Sequence, residues 1–139
     1  MIVSMVPTDF VDLVWNDVKP HFERAVATLK RYFRVDDIRE DAKIGKLMIW
    51  IVADGKKIEA AFTTRIIQYP DRRALAYDWI GGNRVEEWQD DVLPLIEKYA
   101  GEYGCAHIEG TGRKGWERVL RKHGWTPEFV TFRKELSHG

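Results

Sequence analysis

The run WIGGNRVEEWQDD, Trp79 to Asp91, joins a stretch of strand-forming residues to a long helical pattern through two adjacent glycines, Gly81 and Gly82. Many α/β proteins cradle a phosphate at such a junction, because free backbone N–H groups and the helix dipole both favour an anion there. The next residues argue against an anion. Glu86 and Glu87 are acidic, and at an effective dielectric of about 20 like charges 4 Å apart repel by about 4 kcal/mol. Trp88 sets a bulky ring where a backbone would have to approach the phosphate. Gly81, Gly82 and Asn83, with Arg84 beside them, form a candidate anion nest. The alternative is that the glycines serve only a backbone turn.

Upstream of this junction the pattern is helical, then extended. VSMVP reads as a short first strand, and Pro7, Thr8 and Asp9 supply helix-start chemistry. Phe22, Val26, Leu29 and Phe33 then recur at helical spacing. Pro20 is expected to divide this region into two short helices. Asp36 is expected to cap a further helix, DIREDAKIG, that ends at Gly45. KLMIWIV, IEAAFTTRIIQY and ALAYDWI are rich in β-formers and are separated by ADGKK and by Pro70-Asp71, which predicts an antiparallel meander.

Downstream, Trp88, Val92, Leu95, Ile96, Tyr99 and Tyr103 fall on one face of a long amphipathic helix that Pro94 should kink or break and Gly104 ends. CAHIEG reads as a buried strand. KGWERVLRKHG reads as a short helix with Trp116, Val119 and Leu120 inward and Gly124 at its end. EFVTFRKEL reads as a closing strand.

A chain of 139 residues, 45% hydrophobic and 32% charged, suits one domain, 1–139, with a single core. Lysine plus arginine and aspartate plus glutamate are balanced at 22 each, so no global field draws in nucleic acid or an anionic membrane. Cys105 has no partner for an internal disulfide and reads as an inert core thiol. The N-terminus MIVSMVPTDF lacks a basic leader, and no segment approaches the roughly 20 apolar residues of a membrane span. A cytoplasmic location without membrane attachment is the expectation.

This order of elements resembles the GCN5-related N-acetyltransferase superfamily. YAGEYGCAHIEG looks like that family's Ala-x-x-x-Gly helix end running into its fifth strand, with Ala100 and Gly104 at the matching positions. RKGWERVLRKHGW looks like its late segment, N-x-x-A-x-x-L-Y-x-K-x-G-F. The resemblance implies an α+β, three-layer fold, a mixed central sheet with an antiparallel N-terminal meander and helices on both faces. More narrowly, KLMIWIVADGKKIEAAFTTRIIQYP followed by GCAHIEGTGRKGW is similar to small proteins of this fold encoded by tailed bacteriophages and prophages.

The family binds acyl-CoA through a Q/R-x-x-G-x-G/A loop, so the resemblance implies acetyl-CoA as cofactor. Counting back from Ala100, its glycines fall near Glu86, Glu87 and Trp88, where this chain departs from the pattern; Gly81, Gly82, Asn83 and Arg84 are the cofactor-binding candidates that remain. Family members use a carboxylate near the fourth strand as general base and a late tyrosine as general acid. Asp78 is the matching base, or else a solvated strand residue. At the acid position Leu120 cannot return a proton, and Arg113 stands where the pattern has asparagine. His123 is the chemical substitute, since an imidazole titrates near neutral pH, or else a last-turn helix cation. Tyr77 is a further donor or a packing aromatic.

No other chemistry is written in the chain. His107 and Glu109 share one strand face, but with His21, His123 and His138 scattered no metal set forms, and no metal is expected. A nucleophile elbow and a G-x-x-x-x-G-K-[ST] loop are both missing. GTGRKGWER with Arg118, Arg121 and Lys122 is a basic run that reads as a solvated helix face or a contact for an acidic partner. Six tryptophans, several near element ends, suit an interface if they are exposed.

Two functions are therefore expected. The first is a fold relative with a degenerate acyl-CoA site that acts as a binding or structural component through a protein partner or self-association, in phage terms a virion-associated protein or a factor in the host cytoplasm. The second is an acetyl-CoA-dependent N-acetyltransferase with an atypical pyrophosphate loop.

Overall fold

Residues 1–27, 32–112 and 115–137 are described by a computed structural model. Five strands, β1 (Ile2–Val6), β2 (Met48–Asp54), β3 (Lys57–Gln68), β4 (Arg73–Gly82) and β5 (His107–Glu109), lie side by side in chain order. The first four are antiparallel neighbours, and β5 runs parallel to β4 over Ala74–Ala76 alone. That is the mixed sheet with an N-terminal meander implied by the resemblance.

Both faces of the sheet are covered, and strand alternation distributes the side chains. Along β2, Ile49 and Ile51 face helices α1 (Val11–Val26) and α2 (Val35–Lys43), while Met48, Trp50 and Val52 face α3 (Val85–Glu102). Val11, Trp15, Val18, Phe22 and Val26 of α1 fill the first layer against Ile38, Ile49 and Ala61. Trp88, Val92, Leu93, Ile96 and Ala100 of α3 fill the second against Trp50, Phe62, Leu75 and Tyr77. A sheet covered twice explains why β2 and β3 read as continuous apolar runs. Among the described residues no helix is long and apolar enough to cross a membrane.

Several expectations are corrected. Pro20 does not split α1, nor Pro94 α3; both helices run through. Each proline lies on the exposed side, and the carbonyls it leaves unbonded, those of Asn16 and Asp90, belong to exposed residues that water can serve. The start of α2 is held by Asp37, whose carboxylate accepts the Arg34 backbone N–H at 3.1 Å, rather than by Asp36. On α3, Leu95 and Tyr103 are 42% and 48% exposed, while Gln89 and Leu93 are buried in their place. Leu29 lies outside the described residues.

The C-terminal quarter departs furthest. α4 (Trp116–Arg121) is short, and Trp116, Val119 and Leu120 are only half-buried. EFVTFRKEL forms no strand, because β propensity expresses fit to a pleated, half-buried surface and this segment has no neighbour to supply one. None of the tryptophans is exposed: Trp15, Trp50 and Trp88 are buried, and Trp79, Trp116 and Trp125 half-buried. The exposed aromatics are phenylalanines and tyrosines instead.

Candidate functional site

The junction that opened the sequence is part of the sheet. Gly81 and Gly82 are the last residues of β4, paired with Ala61 and Ala60 of β3. A Cβ on Gly81 would overlap the carbonyl of His21 on α1, and one on Gly82, at φ +139°, would lie 2.5 Å from Ala60 and the Glu59 carbonyl. The glycines therefore let α1 and β3 close on the strand end. Just before them β4 holds one extra residue, since Ala61 and Thr63 face Gly81 and Asp78. Trp79, at φ 44°, absorbs this bulge and packs against the edge of Phe33 with ring centroids 5.0 Å apart.

Asn83 and Arg84 are also engaged. The Asn83 N–H donates to the Glu59 carbonyl at 3.0 Å, and its side-chain oxygen accepts from Arg24 at 3.1 Å. Arg84, left-handed at φ 57° before α3, pairs with Glu87 at 2.7 Å and Asp54 at 3.2 Å. Glu86 lies 3.8 Å from Arg118. Trp88 does not stand where a ligand would approach: it is fully buried, in keeping with its place on the apolar helix face, stacks on Phe62 and donates its indole N–H to the Asn83 carbonyl at 2.9 Å.

This geometry fits a pyrophosphate poorly, and shape weighs more than charge. Like charges 4 Å apart in water repel by only about 1 kcal/mol, and Glu86 and Glu87 are exposed beside arginines. What is missing is a loop free to approach a ligand, because the glycines and the Asn83 donor are committed to the sheet. Where β4 and β5 part, beyond Ala76 and Glu109, Trp125 packs on Tyr77 beside Gly110 with ring centroids 6.2 Å apart.

Asp78 lies on the α1 side of the sheet and accepts from Arg65 Nε at 2.9 Å. Burial raises its carboxyl above the usual aspartate range; Arg65 opposes this by charge and hydrogen bond, and the Glu109 charge adds to it. The β4–β5 register places His107 and Glu109 on the same face. Glu109 accepts from Tyr69 at 2.7 Å and from His107 Nε2 at 2.9 Å. Burial pushes its carboxyl up, but these hydrogen bonds and the charges of His107 and Arg65 outweigh burial and hold it below the usual glutamate range. Arg65, Tyr69, Asp78, His107 and Glu109 thus form a polar shelf beyond α1. Sequence reading had Asp78 and the His107–Glu109 pair. It missed Arg65 and Tyr69, whose placement follows from the strand register.

His123 is elsewhere. Its Nε2 lies 3.0 Å from Asp90 on α3, which covers the sheet face opposite to Asp78. Tyr77 is a core residue that donates its hydroxyl to Gln89 at 3.1 Å, and burial holds that hydroxyl well above the tyrosine range. Leu120 is half-buried on α4; Arg113, Lys114 and His138 lie outside the described residues. Among the described residues no three His, Cys, Asp or Glu side chains are grouped to hold a metal ion.

No known protein-family profile matches the sequence, and no curated protein does. Solved structures are similar along the whole chain. A probable acetyltransferase superposes with a TM-score of 0.74 at 12% identity, with 99% of both chains covered. A GCN5-related N-acetyltransferase from Ralstonia eutropha JMP134 gives 0.70 at 16%, again with 99% of both chains covered. A predicted acetyltransferase from Clostridium acetobutylicum, solved with acetyl-CoA, gives 0.71 at 13%, covering 99% of this chain and 97% of that one. With Gly81 and Gly82 packed against α1 and β3 at the end of β4, the chain has the fold of the GCN5-related N-acetyltransferases.

Proposed function

We infer that this protein uses an acetyltransferase fold for binding rather than catalysis, with a degenerate acyl-CoA site and a protein as its partner. The observation that supports this most is the commitment of Gly81 and Gly82 to packing between β3 and α1. The absence of a tyrosine at Leu120 points the same way. The finer reading, a phage-type component associated with the virion or acting in the host cytoplasm, rests on the sequence resemblance of the meander and of GCAHIEGTGRKGW.

The second reading, an acetyl-CoA-dependent N-acetyltransferase with an altered cofactor pose, draws support from Asp78. A half-buried carboxyl with a raised pKa beside a partly open polar shelf has the character of a general base. Turnover of acetyl-CoA against a panel of primary amines, read by release of the CoA thiol, separates the two. The binding reading expects no release above buffer, and no difference between wild type and Asp78→Asn. The enzymatic reading expects release that Asp78→Asn lowers by about 10²-fold or more while the protein stays folded.

A further inference from the structure

We propose that the cavity between α1 and the β2–β3 hairpin binds a dicarboxylic α-amino acid, with Asp17 holding its ammonium and Lys56 and Lys57 its two carboxylates. The cavity measures about 450 Å³ and is lined by Asp17, Lys56, Lys57 and Ile58. Small-molecule sites span about 300–1,000 Å³. None of the lining residues belongs to the β4–α3 junction or to the polar shelf, so this site is independent of whether the chain is a catalyst.

The charges around the cavity are not used within the fold. Among the described residues Asp17 and Lys56 form no ion pair. Lys57 Nζ lies 3.9 Å from Glu59, beyond hydrogen-bond length. A carboxylate and two ammonium groups thus line one space without meeting across it. The hairpin fixes where the lysines start. Gly55, at φ 64°, forms the turn with Lys56, and Lys57 is the first residue of β3, paired with Asp54. Only side-chain rotamers remain to be ordered on binding.

A second observation comes from the helix beside Asp17. His21 follows it by one turn on the same face of α1, is 9% exposed, and donates from Nε2 to the Ile58 carbonyl at 2.9 Å. A carbonyl only accepts, so Nε2 carries a proton and the Nδ1 of the neutral ring is an acceptor. That Nδ1 is buried without a hydrogen-bond partner, an unfavourable state for a polar atom. An ammonium seated at Asp17 brings N–H donors to this wall, whereas a plain anion brings none. The other end of the ligand follows from charge complementarity. One carboxylate and two ammonium groups in the lining call for one ammonium and two carboxylates in the ligand, with its methylenes against Ile58.

Proton–nitrogen correlation NMR on the full chain, without acetyl-CoA, tests the site with L-glutamate and L-aspartate as probes. Saturable shifts at Asp17, His21 and Gly55–Ile58 are expected with a Kd of roughly 0.1–1 mM, the strength that a few solvent-facing ion pairs supply. N-acetyl-L-glutamate lacks the ammonium, and the α-amide of glutamate lacks one carboxylate. Each should bind about 5-fold more weakly or worse. Asp17→Asn and Lys56→Gln should weaken glutamate by a similar factor. Both positions are exposed, so signals away from the hairpin should keep their dispersion. The His21 Nδ1 resonance should move as glutamate saturates. No saturable shift at tens of millimolar overturns the proposal. So does binding indifferent to both substitutions, equal binding of the N-acetyl probe, a His21 ring that does not respond, or shifts confined to the polar shelf.

Discussion

Gly81→Ala is expected to destabilise the protein by about 3 kcal/mol or more, lowering the thermal midpoint by roughly 10 °C. The added methyl has nowhere to go. It would meet the His21 backbone carbonyl, which is fixed within α1 and cannot rotate aside like a flexible side chain. The His21 ring is held as well, donating from Nε2 to the Ile58 carbonyl at 2.9 Å, so α1 can retreat only by giving up contacts with Trp15 and Phe22 beneath it. Circular dichroism during heating reads the effect. An unchanged midpoint would mean that Gly81 lies in a loose loop and that the anion-nest reading of the junction stands.

The second large effect belongs to Trp88→Ala, for which a loss of about 4 kcal/mol is expected. The ring is fully buried, stacks on Phe62 at 6.2 Å, and its N–H satisfies the Asn83 carbonyl at the turn into α3. Truncation opens a cavity in the α3 layer and removes the bond that fixes the junction. Trp88→Phe retains most of the volume and should lose only about 1 kcal/mol with the hydrogen bond. Urea unfolding of both variants gives the ratio. Equal, small losses would place the indole at the surface, where it would obstruct a ligand.

Much of this architecture was legible because local and global preferences agree. The meander follows from β-formers broken by ADGKK and Pro70-Asp71, and the second half of α1 from the spacing of Phe22 and Val26, while Phe33, read with them, lies beyond the helix end. The errors have particular causes. At about 100° per residue, the apolar arc read along α3 centred near Trp88 and Tyr99, whereas the buried arc is rotated by roughly 60° toward Gln89 and Leu93. A glutamine gave no reason to look inward; only the Tyr77 hydroxyl on the facing strand explains it.

The candidate site was half legible for a similar reason. Asp78, His107 and Glu109 announce themselves by type, but Arg65 reaches Asp78 only through the β3–β4 register that runs unbroken from Gln68–Arg73 to Thr63–Asp78, and the periodicity of one strand does not encode its cross-strand partners. Gly81 and Gly82 were visible as glycines, while their purpose depends on α1, some sixty residues earlier in the chain. EFVTFRKEL was read as a strand from what its residues favour and forms none, because a strand exists only with a neighbour.

The central claim is that the β4–α3 junction is structural and no longer a cofactor loop. Calorimetric titration of acetyl-CoA into the purified protein, at moderate salt and with Cys105 kept reduced, tests it most directly. The account predicts no detectable heat and no thermal stabilisation at millimolar acetyl-CoA. Saturable binding at micromolar strength, lost on replacing Arg84 or Arg118, would contradict it.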